Sequence, residues 1–354
     1  MKFGISLLPD CRPAQRSAAQ YYADVIEVSA LADSLGIDYV KMTEHYMKDY
    51  GGYCPSPLTF LAAVASRTER IRLMTGGIQA SFHHPVQLAA QTAQVDALSG
   101  GRLDVGFARA WLPYEFEAFE VDLDTSRARF VATIEAVERL WTQGTASEDT
   151  EFFRYQDIPS LPAPTQSPHP PVWVAAVRSL ESFAWIGEKG FNLLIASPPR
   201  EEELPRTKEM LNVYLETFEQ EHGPSGRSPG VALSIPLYIA ETDDEAYAKA
   251  EPLLREYLDV WAEAADSWKN VTSPAYQGYA AAGKTFRSVT SKDLRSVATG
   301  VIGSPATVLE KIEEIRANLP VDTLLWQIDF GGQDLESMSR SVRLFAEEVM
   351  AKVR

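Results

Sequence analysis

The sequence predicts one α/β domain folded as a (β/α)8 TIM barrel, and three observations support this fold class. Short apolar segments alternate with longer amphipathic ones about eight times, as parallel strands alternate with covering helices. The chain has 354 residues, a length that such barrels commonly reach as one domain. The first strand leads into Pro9 and Asp10, whereas an open nucleotide-binding sheet usually continues into Gly-x-Gly-x-x-Gly.

The individual elements follow from hydrophobic periodicity. Short apolar runs predict strands at 2–8, 37–42, 71–80, 102–107, 172–176, 191–195, 231–240 and 323–330. Apolar residues at helical spacing predict helices at 21–35, 58–67, 86–98, 127–142, 179–189, 201–222, 243–264, 305–319 and 336–352. An edge strand or hairpin is predicted at 151–155, and the Pro-rich stretch 159–171 is predicted to be an ordered connection. Residues 1–354 are therefore predicted to form a single domain.

One segment, 265–299, interrupts the alternation, since its periodicity is weak and Gly, Ser, Thr and Lys are frequent. Irregular segments of this length in compact domains are commonly lids over a binding site. Four aromatic residues could cover a pocket: Trp268, Tyr276, Tyr279 and Phe286. The alternative is a surface insertion. We refer to 265–299 as the lid segment.

Charge and composition exclude several classes of function. The formal net charge is −16 and no Lys/Arg-rich run is present, which argues against partners such as nucleic acids and anionic membranes and favours small molecules. The apolar run at the start is too short for a signal peptide, and no stretch of about 18 apolar residues occurs, so we expect a cytoplasmic protein. Two cysteines, Cys11 and Cys54, do not make a disulfide framework.

Candidate site residues follow from the barrel prediction, because barrel active sites lie at the carboxyl ends of the strands. Polar residues just past predicted strands are Glu44, His45, Gln79, His83, His84, Arg109, Arg178, Ser179, Ser182, Asp329 and Gln333. A lone histidine is more often structural than catalytic, but Glu44 could orient the imidazole of His45. No zinc-binding His or Cys spacing and no Gly-x-Ser-x-Gly occurs, so neither a metal site nor a hydrolase is predicted.

Two further patterns each allow two interpretations. Gly76-Gly77 inside a strand indicates either a bulge or the close approach of a ligand or another backbone. Arg109 with Ser179 and Ser182 could form an anion site at a helix N-terminus. From the residues alone, helix capping by Ser179 and a surface ion pair for Arg109 are favoured.

The ordered set of motifs resembles the bacterial luciferase family, in details most closely its α subunit. The matching segments run nearly from end to end, at 1–4, 32–38, 44–45, 70–77, 84–86, 96–103, 122–128, 302–305 and 340–350. The resemblance implies a flavin-dependent monooxygenase. Reduced FMN from a separate NAD(P)H-flavin reductase would react with O2, and the C4a-peroxyflavin formed would oxygenate a small organic substrate.

The resemblance also implies roles for particular residues. His45, beside Glu44, would manage protons near the flavin, and Gly76-Gly77 match a non-prolyl cis peptide that contacts the isoalloxazine ring. The flavin phosphate site would consist of Arg109, Arg178, Ser179 and Ser182. The lid segment would exclude water from the reactive peroxide. Family members usually dimerise near the second and third strands, so we expect a homodimer through 58–67 and 86–98.

Departures from the family pattern limit what the resemblance implies. Tyr46 replaces a second histidine, Ala108 replaces the reactive cysteine of luciferase, and Ala110 replaces a glycine. These differences argue against long-chain aldehyde oxidation and light emission. Two alternatives keep the fold: hydride transfer with deazaflavin F420, and a non-catalytic flavin-binding subunit. The lid segment argues against both alternatives. The luciferase-like terminal segments argue further against the use of F420. The presence of Glu44-His45 argues further against a non-catalytic subunit.

Overall fold

The computed structural model describes all residues, 1–354, and its centre is a closed ring of eight parallel strands. Going round the ring, they are β1 (Lys2–Leu7), β2 (Tyr39–Met42), β3 (Arg72–Thr75) continued by β4 (Ile78–Gln79), β5 (Leu103–Ala108), β8 (Val172–Ala175), β9 (Asn192–Ile195), β10 (Val231–Ile239) and β12 (Thr323–Gln327). β12 pairs with β1 and closes the ring. The predicted (β/α)8 barrel is confirmed.

Helices cover the outside of the ring. They are α1 (Ala18–Ser34), α2 (Pro57–Ala65), α3 (Pro85–Leu98), α4 (Pro113–Ala118), α5 (Ser126–Gln143), α6 (Leu180–Glu188), α7 (Leu204–His222), α8 (Asp243–Ala265), α9 (Ala282–Arg287), α10 (Pro305–Asn318), α11 (Leu335–Leu344) and α12 (Ala351–Val353). No helix is both long enough and apolar enough to cross a membrane.

The barrel interior is filled from alternate strand positions, as the two-residue period of a strand requires. One packed layer contains six side chains from six different strands: Tyr39, Met74, Trp173, Leu194, Ala232 and Leu325. Intervening residues point outward, where Phe3 and Trp326 pack against Phe345 of the C-terminal helical segment. Positions two residues further along each strand, such as Ser6, Lys41 and Ser234, lie nearer the carboxyl-end mouth.

Several elements differ from the sequence prediction. The predicted strand 71–80 is divided by a cis peptide bond at Gly76–Gly77. The predicted edge element is an antiparallel hairpin of β6 (Thr145–Asp149) and β7 (Arg154–Pro159), longer than expected. Three short elements were not predicted: α4, α9 and β11 (Val301–Gly303). The final predicted helix contains a π-helical stretch at Phe345–Met350.

A buried carboxylate connects the end of α1 to the chain that enters β3. Asp33 accepts hydrogen bonds from the backbone N–H groups of Glu69, Arg70 and Ile71, at 2.8, 3.1 and 2.7 Å. Burial opposes ionisation of Asp33, but these three N–H groups outweigh it and lower the pKa of the carboxyl group. The ionised carboxylate therefore stabilises the fold.

Replacing Asp33 by alanine is expected to lower the free energy of unfolding by about 2 kcal/mol or more at pH 7, because buried N–H groups lose their acceptor. Since the folded-state pKa of Asp33 is lowered, its contribution is complete above the unfolded value of about 4 and is lost as the pH falls through the folded value. Urea unfolding at pH 7 and pH 4 measures both effects. Asp149→Ala removes an exposed ion pair with Arg154 as the control, and an equal loss there would contradict the assignment.

Candidate active site

The glycine pair at the interrupted strand lies where no side chain fits. A Cβ atom on Gly76 would be 2.2 Å from Lys41 Cε, and one on Gly77 would be 2.6 Å from the backbone carbon of Phe107. Thr75 accepts a hydrogen bond from the N–H of Gly106 and donates one to its carbonyl, at 2.7 and 2.8 Å. The glycine pair therefore permits close approach to a second backbone, and no bulge is required. Both glycines are buried, Gly76 against the side chain of Lys41 and Gly77 against the backbone of β5.

Glu44 follows β2 and is 1% exposed. Its carboxylate accepts hydrogen bonds from the backbone N–H of Gln79 at 3.0 Å and from the hydroxyl of Tyr46, and lies 2.7 Å from Nε2 of His83. The hypothesis that Glu44 orients His45 is wrong, because the carboxylate faces His83 instead. Successive side chains on extended backbone diverge, which separates these two neighbours.

His45 is held by a different carboxylate. Its Nδ1 lies 3.1 Å from Oε1 of Glu115 and 3.3 Å from the amide nitrogen of Gln79. Glu115 is fully buried on α4 and also accepts the backbone N–H of Tyr46 at 2.9 Å. The other ring nitrogen of His45, Nε2, makes no hydrogen bond with the chain.

Aromatic rings surround the histidine. The His45 and Tyr50 ring centroids are 4.6 Å apart, and Tyr50 makes edge contacts with Trp111 and Trp261 at 5.7 and 4.9 Å. Burial raises the pKa of Tyr50 well above its ordinary value, so the phenol stays protonated. This end of the barrel therefore combines two carboxylate-held imidazoles, His45 and His83, with apolar aromatic rings suited to organic ligands.

Three of the predicted anion-site residues, Arg178, Ser179 and Ser182, lie at the N-terminus of α6. Ser179 caps this helix, since its hydroxyl accepts the N–H of Ser182 at 3.3 Å. The hydroxyl of Ser182 in turn accepts a hydrogen bond from Arg127 at 2.6 Å. Ser179 thus caps the helix, as the residues alone suggested. The guanidinium of Arg127 lies beside this helix N-terminus. Arg178 lies 3.6 Å from Glu203 with half of its side chain exposed.

Arg109 does not make the surface ion pair that the residues alone favoured. Its guanidinium donates to the carbonyl of Ala275 at 3.0 Å and lies over the ring of Tyr276, 4.1 Å from its centroid. Arg178 approaches the same region, 5.7 Å from the ring centroid of Tyr279. Both arginines therefore contact the lid segment.

Three residues of the site were missed from the sequence. Glu115 lies on α4, further beyond the end of β5 than the residues that were considered as candidates. The available signal was an acidic residue in the segment that follows β5. Arg127 lies inside a segment, 122–128, that was noted only for its resemblance. Lys41 interrupts an apolar strand, and that was the available signal. Asp329 and Gln333 lie instead near the start of α1: Asp329 accepts from Tyr21 at 2.8 Å, and the carbonyl of Gln333 accepts from Arg16 at 2.7 Å.

Comparison with known proteins assigns the family. The model of the luciferase-like monooxygenases matches residues 1–323. The chain belongs to this family. The oxygenase component of flavin-dependent trigonelline monooxygenase from Acinetobacter baylyi is 29% identical over 266 residues, 74% of this chain and 72% of that protein.

Solved structures agree with this assignment. Monooxygenase RslO1 from Streptomyces bottropensis has a TM-score of 0.84 and 34% identity, with both chains fully covered. The oxygenating constituent of 3,6-diketocamphane monooxygenase from Pseudomonas putida, solved with FMN, has a TM-score of 0.80 and 21% identity over all of this chain and 99% of that one. F420-dependent oxidoreductases share the fold. The predicted enzyme class, a flavin-dependent monooxygenase, is confirmed.

The lid segment of this luciferase-like monooxygenase packs onto the barrel mouth. Trp268 and Tyr276 are buried, and the hydroxyl of Tyr276 donates to the carbonyl of Ala110 at 3.0 Å and lies 3.2 Å from that of Ser126. Ser273 donates to Asp124 at 2.5 Å. The segment is therefore packed against the barrel in this structure through buried aromatic rings and side-chain hydrogen bonds.

Replacing Tyr276 by phenylalanine is expected to raise the population of the open lid segment roughly fivefold, since one hydrogen bond contributes about 1 kcal/mol. Trypsin cleavage at Lys269, Lys284 and Arg287 and hydrogen exchange across 265–299 measure the opening. Tyr279→Phe is the matched control, because the Tyr279 hydroxyl makes no hydrogen bond with the chain while its ring packs against the ring of Tyr276. Equal protection in both variants would show that the hydroxyl does not hold the lid segment.

Proposed function

We propose that this enzyme uses reduced FMN and O2 to place one oxygen atom on a small organic substrate and the other in water. A separate NAD(P)H-flavin reductase supplies the reduced FMN, because the chain has no nicotinamide fingerprint. The observation that carries the proposal is the glycine pair Gly76–Gly77 in the segment that leads to Gln79, whose amide contacts the buried, carboxylate-held His45.

The residues present fit FMN. A flat ring can lie against backbone only where side chains are absent, as at Gly76 and Gly77. The phosphate would be held at the N-terminus of α6, where free N–H groups and cations favour an anion. The residues assigned to this role are Arg109, Arg178, Ser179 and Ser182, with Arg127 donating to Ser182.

When bound, reduced FMN supplies the two electrons that activate O2. The chain contributes proton management and water exclusion. His45 would accept or donate a proton at Nε2, while Glu115 holds Nδ1 and fixes the ring. Glu44 would act indirectly, by positioning His83 and Gln79 beside the histidine. The lid segment would keep bulk water out during the reaction.

Two alternative functions use the same fold. An F420-dependent oxidoreductase would transfer hydride without O2, and a flavin-binding subunit would lack activity. A buried network of two carboxylates and two histidines costs desolvation energy, and such networks cluster at active sites, which favours catalysis over a silent subunit. The homodimer through α2 and α3 stays a prediction, and so does the identity of the substrate among aldehydes, amines and activated carbon centres.

Anaerobic titration is expected to show binding of reduced FMN and no comparable binding of F420. Mixing the complex with oxygenated buffer should give a transient absorbance distinct from both reduced and oxidised FMN. Arg109→Ala should weaken FMN binding by roughly 10–100-fold, the effect of one charge-assisted hydrogen bond. Riboflavin, which lacks the phosphate, is the control: its affinity should be unchanged. Tight F420 binding without reduced FMN binding would replace the monooxygenase proposal by hydride transfer.

His45→Ala is expected to lower kcat by roughly 10²–10⁴-fold while leaving FMN affinity unchanged, since general acid–base groups contribute about that much. Turnover would be measured with the first substrate found by screening aldehydes, amines and ketones. His169→Ala is the control, because His169 stacks on Trp141, 5.6 Å between centroids, beside α5 and away from the site. Unchanged turnover in His45→Ala would remove the assigned role.

A further inference from the structure

A lysine lies inside the barrel without an anionic partner. Lys41 is 4% exposed, and its ammonium group donates to two neutral hydroxyls, Ser6 at 3.0 Å and Ser234 at 3.1 Å. Lysine has three N–H donors, so one is left without a partner in the chain. Burial lowers the pKa of Lys41 to about 8, although the charge of Asp329 opposes this shift.

Such an arrangement is costly for the protein alone. A buried charge that is not paired destabilises a fold, and an apolar side chain of similar length would avoid that cost. The ammonium group is hydrogen-bonded only to hydroxyls, and the charge of Asp329 acts on it without an ion-pair contact. A function that requires a positive charge at this place therefore explains the residue better than packing does.

A second unpaired donor lies close by in the register. Ser6 pairs with Lys41 on one side and with Gln327 of β12 on the other, and all three face the barrel interior. Gln327 is 5% exposed, its side-chain oxygen accepts from Tyr257 at 3.0 Å, and its amide nitrogen has no partner. Two buried donors flanking one serine would suit an acceptor-rich, anionic ligand.

The position of Lys41 beside Gly76 indicates which anionic ligand the two buried donors would bind. Its side chain packs directly against Gly76, since a Cβ there would meet the Cε, Cδ and Cγ atoms of Lys41 at 2.2–2.4 Å. Gly76 is the residue against which the flavin ring is proposed to lie. The ring of reduced FMN is a weak acid that carries a delocalised negative charge once ionised, whereas the oxidised ring is neutral.

We propose that Lys41 stabilises the anionic ring of reduced FMN and so makes the site prefer reduced over oxidised flavin. This inference rests on the proposed function, because it requires FMN at Gly76. A positive charge near the ring changes the reduction potential of the bound flavin, as charged protein groups do in flavoproteins generally. Preference for the reduced form suits an oxygenase that receives reduced flavin from another protein.

The test compares affinities for oxidised and reduced FMN, measured by anaerobic titration of the full-length protein. Lys41→Met is expected to weaken reduced FMN binding at least tenfold while oxidised FMN binding is unchanged. A tenfold differential lowers the two-electron midpoint potential of bound FMN by about 30 mV. The absorbance of bound reduced FMN should also change from the ionised to the neutral form. Lys41→Gln, which keeps a hydrogen-bond donor but not the charge, should behave like Lys41→Met.

Lys311→Met is the matched control. Lys311 is also buried, its pKa is lowered to about 8 by burial, and it donates to Tyr247 and to the carbonyl of Ile302, outside the barrel interior. Its loss should leave the differential between the two flavin forms unchanged. Thermal unfolding without flavin checks folding, and Lys41→Met should be at least as stable as the unaltered protein.

The outcomes separate this inference from the proposed function. Equal effects on both flavin forms, or no effect in either Lys41 variant, would overturn the role of Lys41 while FMN binding by the unaltered protein stands. Normal reduced-FMN preference in Lys41→Gln alone would show that hydrogen bonding, not charge, matters, and would also overturn it. An unaltered protein that binds no reduced FMN would overturn both.

Discussion

The lack of space at Gly76 and Gly77 is the constraint on which the rest of the site depends. Any side chain at either position would collide with Lys41 or with the backbone of Phe107. Because β3 comes so close to β5 there, the chain after the glycines reaches Glu44, whose carboxylate accepts the N–H of Gln79. The close contact between these two strands thus brings Gln79 to the carboxylate of Glu44 and to the ring of His45.

The charges of individual site residues differ in sign from the net charge of the whole chain. The chain carries a formal charge of −16, yet four of the residues assigned to the proposed FMN site are cations: Lys41, Arg109, Arg127 and Arg178. Arg127 and Arg178 lie 3.2 and 3.6 Å from Glu181 and Glu203, whereas Lys41 and Arg109 contact no carboxylate. Burial raises the pKa of Asp329 to about 6, which weakens its hold on Lys41. An anionic cofactor would therefore meet two cations that make no ion pair, Lys41 and Arg109, in a protein of negative net charge.

Periodicity predicted the barrel well because each strand and helix is buried in a regular way, and Ser179 was correctly placed at a helix start because capping is a local interaction. The sequence did not predict which residues the site residues contact. His45 is held by Glu115, seventy positions away in the chain, and Arg109 binds a carbonyl of the lid segment, 166 positions away. Neither contact leaves a local pattern. The search for polar residues just past the strand ends did not include Lys41. Lys41 lies within β2, and its side chain points into the barrel.

The position of Arg109 links the lid segment to the cofactor site. One guanidinium donates to the carbonyl of Ala275 and stacks on Tyr276, and the same group is assigned to the FMN phosphate. If the phosphate lies beside it as proposed, the two partners either share the five N–H donors of the guanidinium or compete for them. Coupling between two bound partners is reciprocal, so whatever the lid segment does to FMN affinity, FMN does to the lid segment. Sharing would close the cover when the cofactor arrives, and this is the order that excludes water before O2 reacts.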